Sequence, residues 1–351
     1  MSVARSLAAT TAAVLIAQAQ AAPDVLGLVG SLNAFAPNVA NGTIYDCSVD
    51  GANLAGRNRK EGRWITVAEQ RWSAAALLTA VAKGNKAGID TNLRGIEWTL
   101  DQMQPDGSFV LIDTDTMEPS KGKAKIASAG KMFLAHALPA LMALRAKYPG
   151  YATRVNALKP QLALAAGYVY QYRDRIFNGG STGINRQIRL AAVLIESGLF
   201  LRNPIHLEDG RAILRLALAS QWDNGVFPEE GGYDTSYQLV SLMELAKIQF
   251  LDPTPEGTYA LRRGCAWSLH RFLEDGRIDA TGNTRTMAGV LDPMWDEEKL
   301  GHYPPAICTS LALSARYLGN ARLADALARF SAVAFVKNRI APPLSYIYVA
   351  R

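Results

Sequence analysis

The chain has 351 residues, 37 Lys and Arg against 31 Asp and Glu, and a formal charge of +6. Its basic residues are scattered and form no stripe, which argues against a nucleic-acid surface. Cys47, Cys265 and Cys308 allow at most one disulfide, and without a Cys-x-x-Cys pair they give no zinc site.

Arg5, an apolar run at 7–17 and small residues at 17–22 make 1–22 a secretory signal peptide, too short to span a bilayer. No later stretch reaches the apolar length of a membrane helix. The mature protein, 23–351, is therefore expected to be soluble, periplasmic or secreted, with no membrane contact. Losing Arg5 leaves 36 basic against 31 acidic residues. That modest excess suits an anionic substrate such as a polyuronic acid, and ordinary surface charge explains it equally well.

Strand-like alternation is confined to 26–45 and 344–349. Between them apolar residues recur at three- and four-residue spacing, predicting helices at 67–83, 90–103, 125–148, 155–172 and 184–201. The same spacing predicts 207–220, 234–250, 258–274, 304–318 and 321–338. Gln104-Pro-Asp-Gly-Ser-Phe109, Asp223-Asn-Gly-Val-Phe227 and Glu274-Asp-Gly-Arg-Ile278 each put Asp/Asn-Gly and then an apolar residue after a helix. The expected fold is all-α, a single (α/α) toroid or incomplete helical barrel built from helix pairs. A two-domain helical protein is the alternative.

Metal-ligand runs, a phosphate-cradling glycine loop and a Gly-x-Ser-x-Gly elbow are all missing, so no metal or cofactor is expected. Chemistry is sought in three polar, glycine-bearing segments. The first runs from Asn178 to Asn185 and Arg186. The second is Glu229-Glu-Gly-Gly-Tyr-Asp-Thr-Ser-Tyr237, with Glu230, Tyr233 and Tyr237. The third contains Arg285. On a toroid they can converge on the central cleft.

Thr182-Gly-Ile-Asn-Arg186, an apolar helix, and then Gly225-Val-Phe-Pro-Glu-Glu-Gly-Gly-Tyr-Asp-Thr-Ser-Tyr237 resemble the helical-toroid polysaccharide lyases of the hyaluronate, chondroitin, alginate and glucuronan group. The resemblance covers about 70 residues from Thr182 onwards. It implies β-elimination on a uronic-acid polymer, with Tyr237 as base and acid and Asn185 or Arg186 neutralising the substrate carboxylate. Arg285 would hold further carboxylates, with Tyr233, Glu230, Asn178, Trp222 and His302 lining the substrate path. That group carries a histidine shortly before the tyrosine, where this chain has Pro228-Glu-Glu-Gly-Gly. His136 or His302 would then have to assist, unless Tyr237 serves alone.

Each residue also has a structural reading. Tyr237 suits an interface, Asn185 a helix start, Arg186 a pair with Glu196, and His136 a satisfied core position. Two further functions stay open. One is a toroid glycoside hydrolase acting on unsaturated uronides through Asp106, Glu229, Glu230, Asp234 or Asp292. The other is a non-catalytic glycan binder that uses Trp64, Trp72, Trp98, Trp222 and Trp295 as stacking surfaces. A monomer is expected.

Overall fold

The computed structural model describes residues 22–34, 59–60, 63–64, 66–113, 115–178, 183–284 and 303–336. The described chain opens with helix α1 (Val25–Ala34), a short antiparallel pair β1 (Arg59–Lys60) and β2 (Arg63–Trp64), and a 3-10 turn. Helices α2 (Arg71–Lys83), α3 (Lys86–Asp101) and α4 (Lys123–Lys147) follow. Then come α5 (Ala152–Ala157), α6 (Lys159–Gln171), α7 (Arg173–Asn178) and α8 (Ile184–Leu201). The last five are α9 (Pro204–Ala219), α10 (Thr235–Leu251), α11 (Pro255–Leu269), α12 (Tyr303–Leu318) and α13 (Ala321–Val336).

Helices α2, α4, α8, α10 and α12 pack side by side in that order and form the inner wall. Against them, on the outside, lie α3, α6, α9, α11 and α13. This is an α/α toroid. The links differ at its two ends, and the sequence chemistry explains the short ones. Gly84 and Arg202 take left-handed conformations that close α2 and α8. Asn85, Asn203 and Thr254 cap the next helices with their side chains, and Pro204 and Pro255 stand in the first turns. The long polar links therefore gather at the other end, where the inner helices begin.

Three of those long links contain the same turn. Residues 104–108, 222–226 and 273–277 each close with two backbone hydrogen bonds of 2.8 to 3.1 Å, and Gly107, Gly225 and Gly276 take φ near +90°. The apolar residues that follow, Phe109, Phe227 and Ile278, are buried. Each turn also docks on an outer helix further along. Gly107 abuts the backbone of Leu164 in α6, Gly225 that of Arg263 in α11, and Arg329 of α13 donates to Leu273 O.

Two expectations need correction and a third, open reading is settled. Residues 25–34 are a helix, because Leu28, Val29 and Leu32 bury themselves together on its inner side. Asp24 N donates to Phe250 O at the short-link end, and α1 packs on α2, α4, α10 and α12, bridging the last inner helix back to the first. Second, α4 is long and apolar enough to cross a membrane, with mean hydropathy 1.3 in its best window, yet 83% of that window is buried as core. Third, of the two readings the sequence leaves open for its cysteines, a disulfide or buried thiols, Cys265 and Cys308 take the second. Cys47 and the segment 344–349 lie outside the described residues.

Candidate functional site at the loop end of the ring

Residues 229–232 form a hairpin turn in which Glu229 and Gly232 exchange backbone hydrogen bonds of 3.0 and 3.1 Å. Glu230 (φ 52°) and Gly231 (φ 82°) take its two left-handed positions, as in a type I′ turn. A non-glycine residue at positive φ is strained, so Glu230 is held at an exposed apex at a cost. Glu229 points the other way and is 2% exposed. Its carboxylate lies against Gly183, where a Cβ would come within 2.8 to 2.9 Å of both oxygens. A carboxylate there is favoured by the partial positive charge at the start of α8.

The segments on either side interlock. Thr284 Oγ1 donates to Glu229 O at 2.6 Å, and Thr284 N to Tyr233 O at 2.9 Å. Thr235 donates twice to Asn283 Oδ1 at 3.0 Å. Asp234 Oδ1 accepts from Ser236 N, Ser236 Oγ and Tyr237 N, which caps α10 and fixes the backbone of Tyr237. Tyr233 donates its hydroxyl to Thr281 O at 2.7 Å and packs edge-on to Trp267, with the Arg271 guanidinium over its ring.

Below this rim a column of charge runs down the inner wall. Asn185 is buried in the first turn of α8, and its Oδ1 meets no hydrogen-bond donor among the described residues. Arg186 is exposed, and its carbonyl receives Lys131 Nζ from α4 at 3.5 Å. One turn lower, Arg189 Nε bonds Glu244 Oε1 at 2.8 Å and its Nη1 reaches Met132 Sδ at 3.1 Å. Lys247 Nζ then lies 2.6 Å from Glu244, 3.5 Å from Glu196 and 2.9 Å from Ala135 O. His136 Nδ1 pairs with Met132 O at 3.1 Å.

Burial and neighbours set the charge states along this column. Burial, reinforced by Arg189 and Arg186, brings the Lys131 ammonium down to about 7. Burial pushes Glu196 up to about 8 despite Lys247. Burial also opposes ionisation of Glu244, but Lys247 and Arg189 outweigh it and hold that carboxyl at about 2. His136 falls well below its usual value through burial and the Lys247 charge, so it is neutral.

The remaining expected residues lie apart from this column or outside it. Asn178 ends α7 and is exposed. Trp222, 41% exposed, stands on the outside of the ring, where Arg263 of α11 donates to its carbonyl. Glu196 is an inner-wall neighbour of Lys247, and Arg186 does not pair with it. Asp106 accepts from Ser108 N in its turn at 3.0 Å. Arg285, His302, Asp292 and Trp295 lie outside the described residues.

The sequence reading missed Lys131, Arg189, Glu196, Glu244 and Lys247. Their signal was a charge embedded in an otherwise apolar stretch, as in Leu194-Ile-Glu-Ser-Gly-Leu-Phe200 and Leu242-Met-Glu-Leu-Ala-Lys-Ile248. A helix apolar all round is buried, so a charge within it is buried too and must find partners. Among the described residues, no group of three or more His, Cys, Asp and Glu is arranged to hold a metal.

The all-α ring of paired helices, with its polar links gathered at one end, is an α/α toroid. No family model and no curated protein matches the chain. Among solved structures it is similar to the unsaturated glucuronyl hydrolase from Bacillus sp. GL1, described as responsible for degradation of glycosaminoglycan. The TM-score is 0.50 at 12% identity, over 92% of this chain and 93% of that one. At that identity the likeness establishes the fold, and function has to be argued from the site.

Proposed function

We propose that this protein is an enzyme that cleaves a glycosidic bond of a uronic-acid-containing glycan, and that it does so by hydrolysis. The observation that carries the reading is the gathering of Lys131, Arg186 and Arg189 around the first two turns of α8, beside the carboxylate of Glu229. Exposed Arg186 supplies the contact for a substrate carboxylate, and the buried cations behind it raise the local positive potential. Hydrolysis needs carboxylates to move protons and activate water. Of those in the described loops, Asp234 is committed to capping α10 and Asp106 to its turn. Glu229, whose carboxylate faces Gly183 at the start of α8, is the base that activates water. The likeness to a toroid glucuronyl hydrolase favours this chemistry over elimination.

A second reading has its own support. Tyr237 stands on the first turn of α10 and Asn185 and Arg186 on the first turn of α8, two inner helices that pack together, and these are the groups that β-elimination requires. Two variants separate the chemistries. Glu229→Gln should lower turnover of a uronide substrate by roughly 10²-fold or more while Tyr237→Phe leaves most of it, since one proton-transfer group contributes about that much. The reverse pattern, with Tyr237→Phe inactive, would assign the reaction to elimination. The substrate class, the exported location and the monomeric state belong to the same proposal.

A further inference from the structure

The outer helix α11 carries rings and arginines at a regular interval. Tyr259, Arg263, Trp267 and Arg271 recur every four residues, so they wind slowly along one side of the helix and past its end. The arginines back the rings. The Arg263 guanidinium lies 5.3 Å from the Tyr259 ring centroid, and that of Arg271 lies 5.6 Å from Trp267 and 5.2 Å from Tyr233. Tyr233 packs edge-on to Trp267 at 5.4 Å, so the series ends in the loop that holds Glu229 and Tyr237. At its other end Trp222 joins it, its carbonyl receiving the Arg263 guanidinium. From Tyr259 to Trp267 the helix rises about 12 Å.

Tyr259 is 62% exposed and Trp222 41%. A lone exposed apolar side chain is ordinary, but two large rings held beside one arginine are the residue types that dominate binding surfaces, because they offer wide contact at little cost in rotamer freedom. Arg263 backs one face of Tyr259, so the ring presents its other face and edge outward. Such a ring fits a partner with flat C–H faces and a polar rim, which describes a pyranose sugar. The rings stand in single file along a helix, which fits an extended chain better than a broad protein face. Charge selects among such chains. Arg262 is exposed one turn from Tyr259, and no carboxylate among the described residues pairs with it. Asp223 reaches Arg263 only at 3.9 Å and from a fully exposed position, where an ion pair contributes little. A carboxylate-bearing sugar chain therefore fits better than a neutral one.

We propose that the outer face of α11, from Trp222 and Tyr259 to Trp267, binds an extended uronic-acid polysaccharide and leads it to the rim at Tyr233. This rests on the reading that a uronic-acid glycan is the substrate. The test gives the full chain polyglucuronate, neutral hydroxyethylcellulose and an unsaturated uronic-acid disaccharide, reading affinity electrophoresis for the polymers and turnover for the disaccharide. Polyglucuronate should retard the protein and hydroxyethylcellulose should not. Tyr259→Ala combined with Arg262→Ala should weaken polyglucuronate binding about tenfold and leave disaccharide turnover within about twofold, because a stacked ring and a charge contact are lost away from the reacting bond. Trp222→Ala should weaken polymer binding by a similar factor. Polymer affinity unchanged in these variants, equal retardation by the neutral polymer, or a matching fall in disaccharide turnover would overturn the proposal. So would a change in self-association on sedimentation with polymer binding intact, which would assign the face to protein contact. Disaccharide turnover without polyglucuronate binding would remove the α11 site and leave the proposed hydrolysis standing. Polymer binding that falls in both variants, with no disaccharide turnover, would keep the α11 site and remove the hydrolysis.

Discussion

Glu196 and Glu244 face the same Lys247 from neighbouring helices, yet burial leaves one carboxyl protonated and the two cations hold the other ionised. The consequence is a pH dependence with a definite sign. The unfolded chain keeps Glu196 near 4.5, and the folded chain raises it to about 8. Between those values the unfolded state gives up the proton and the folded state keeps it, so this residue lowers stability as pH rises across the window. Chemical denaturation should therefore find Glu196→Gln more stable than the parent at about pH 8, on the order of 2–4 kcal/mol, and nearly equal at about pH 4. Equal stability at both would mean that Glu196 is ionised in the fold. The sequence offers this residue only as a partner for Arg186, because Glu in an Ala- and Leu-rich helix ordinarily marks the solvent face, and the all-apolar surround that signals its burial is the subtler cue. Tyr237, Asn185 and Arg186 were legible because they stand at the loop-to-helix junctions Gly183–Ile184 and Asp234–Thr235, where loop chemistry stops and the apolar period begins.

At the scale of the element, the helices were legible and most of their partnerships were not. The apolar spacing predicts 184–201, and α8 has those bounds; α10 and α13 differ from their predicted ranges by a residue or two. At α10 a cap explains the precision, since Asp234 satisfies the first amides of that helix. Helix α1 was misread because Val25-Leu-Gly-Leu-Val-Gly mixes glycine with apolar residues on both faces, and its period appears only when the ring buries one side. The Asp/Asn-Gly turns were legible as turns. Their docking on the next outer helix was not, because close backbone approach leaves no apolar pattern. Gly225 combines φ +94° with a Cβ direction aimed into Arg263 O. Gly225→Ala should consequently cost at least about 1–3 kcal/mol. Gly231, also at positive φ but with open space around its Cβ direction, should cost less when changed to Ala. Similar losses at the two positions in thermal unfolding would remove the docking role from the 222–226 turn.

For the whole molecule, α1 ties the two ends of the inner wall together, so an N-terminal segment of ten residues matters to the entire ring. Leu28, 1% exposed, is its deepest large side chain. Leu28→Ala should destabilise the protein by about 2–5 kcal/mol, read as a lower midpoint in a single cooperative transition. Loss of only α1 protection in hydrogen exchange, with the rest of the ring unchanged, would instead make α1 an appendage. The ring brings the long polar links to one end, where exposed Arg186 stands in the first turn of α8 and the Glu229 carboxylate lies against Gly183 beside the strained Glu230 turn. Whether this end hydrolyses a uronide is read from the fate of an unsaturated uronic-acid disaccharide. Followed in the ultraviolet band of its C4–C5 double bond, with released sugar measured alongside, the substrate should lose absorbance as free sugar appears. Unchanged absorbance and no released sugar, together with rising absorbance on an intact uronic-acid polymer, would contradict the hydrolytic account and leave elimination by Tyr237 in its place.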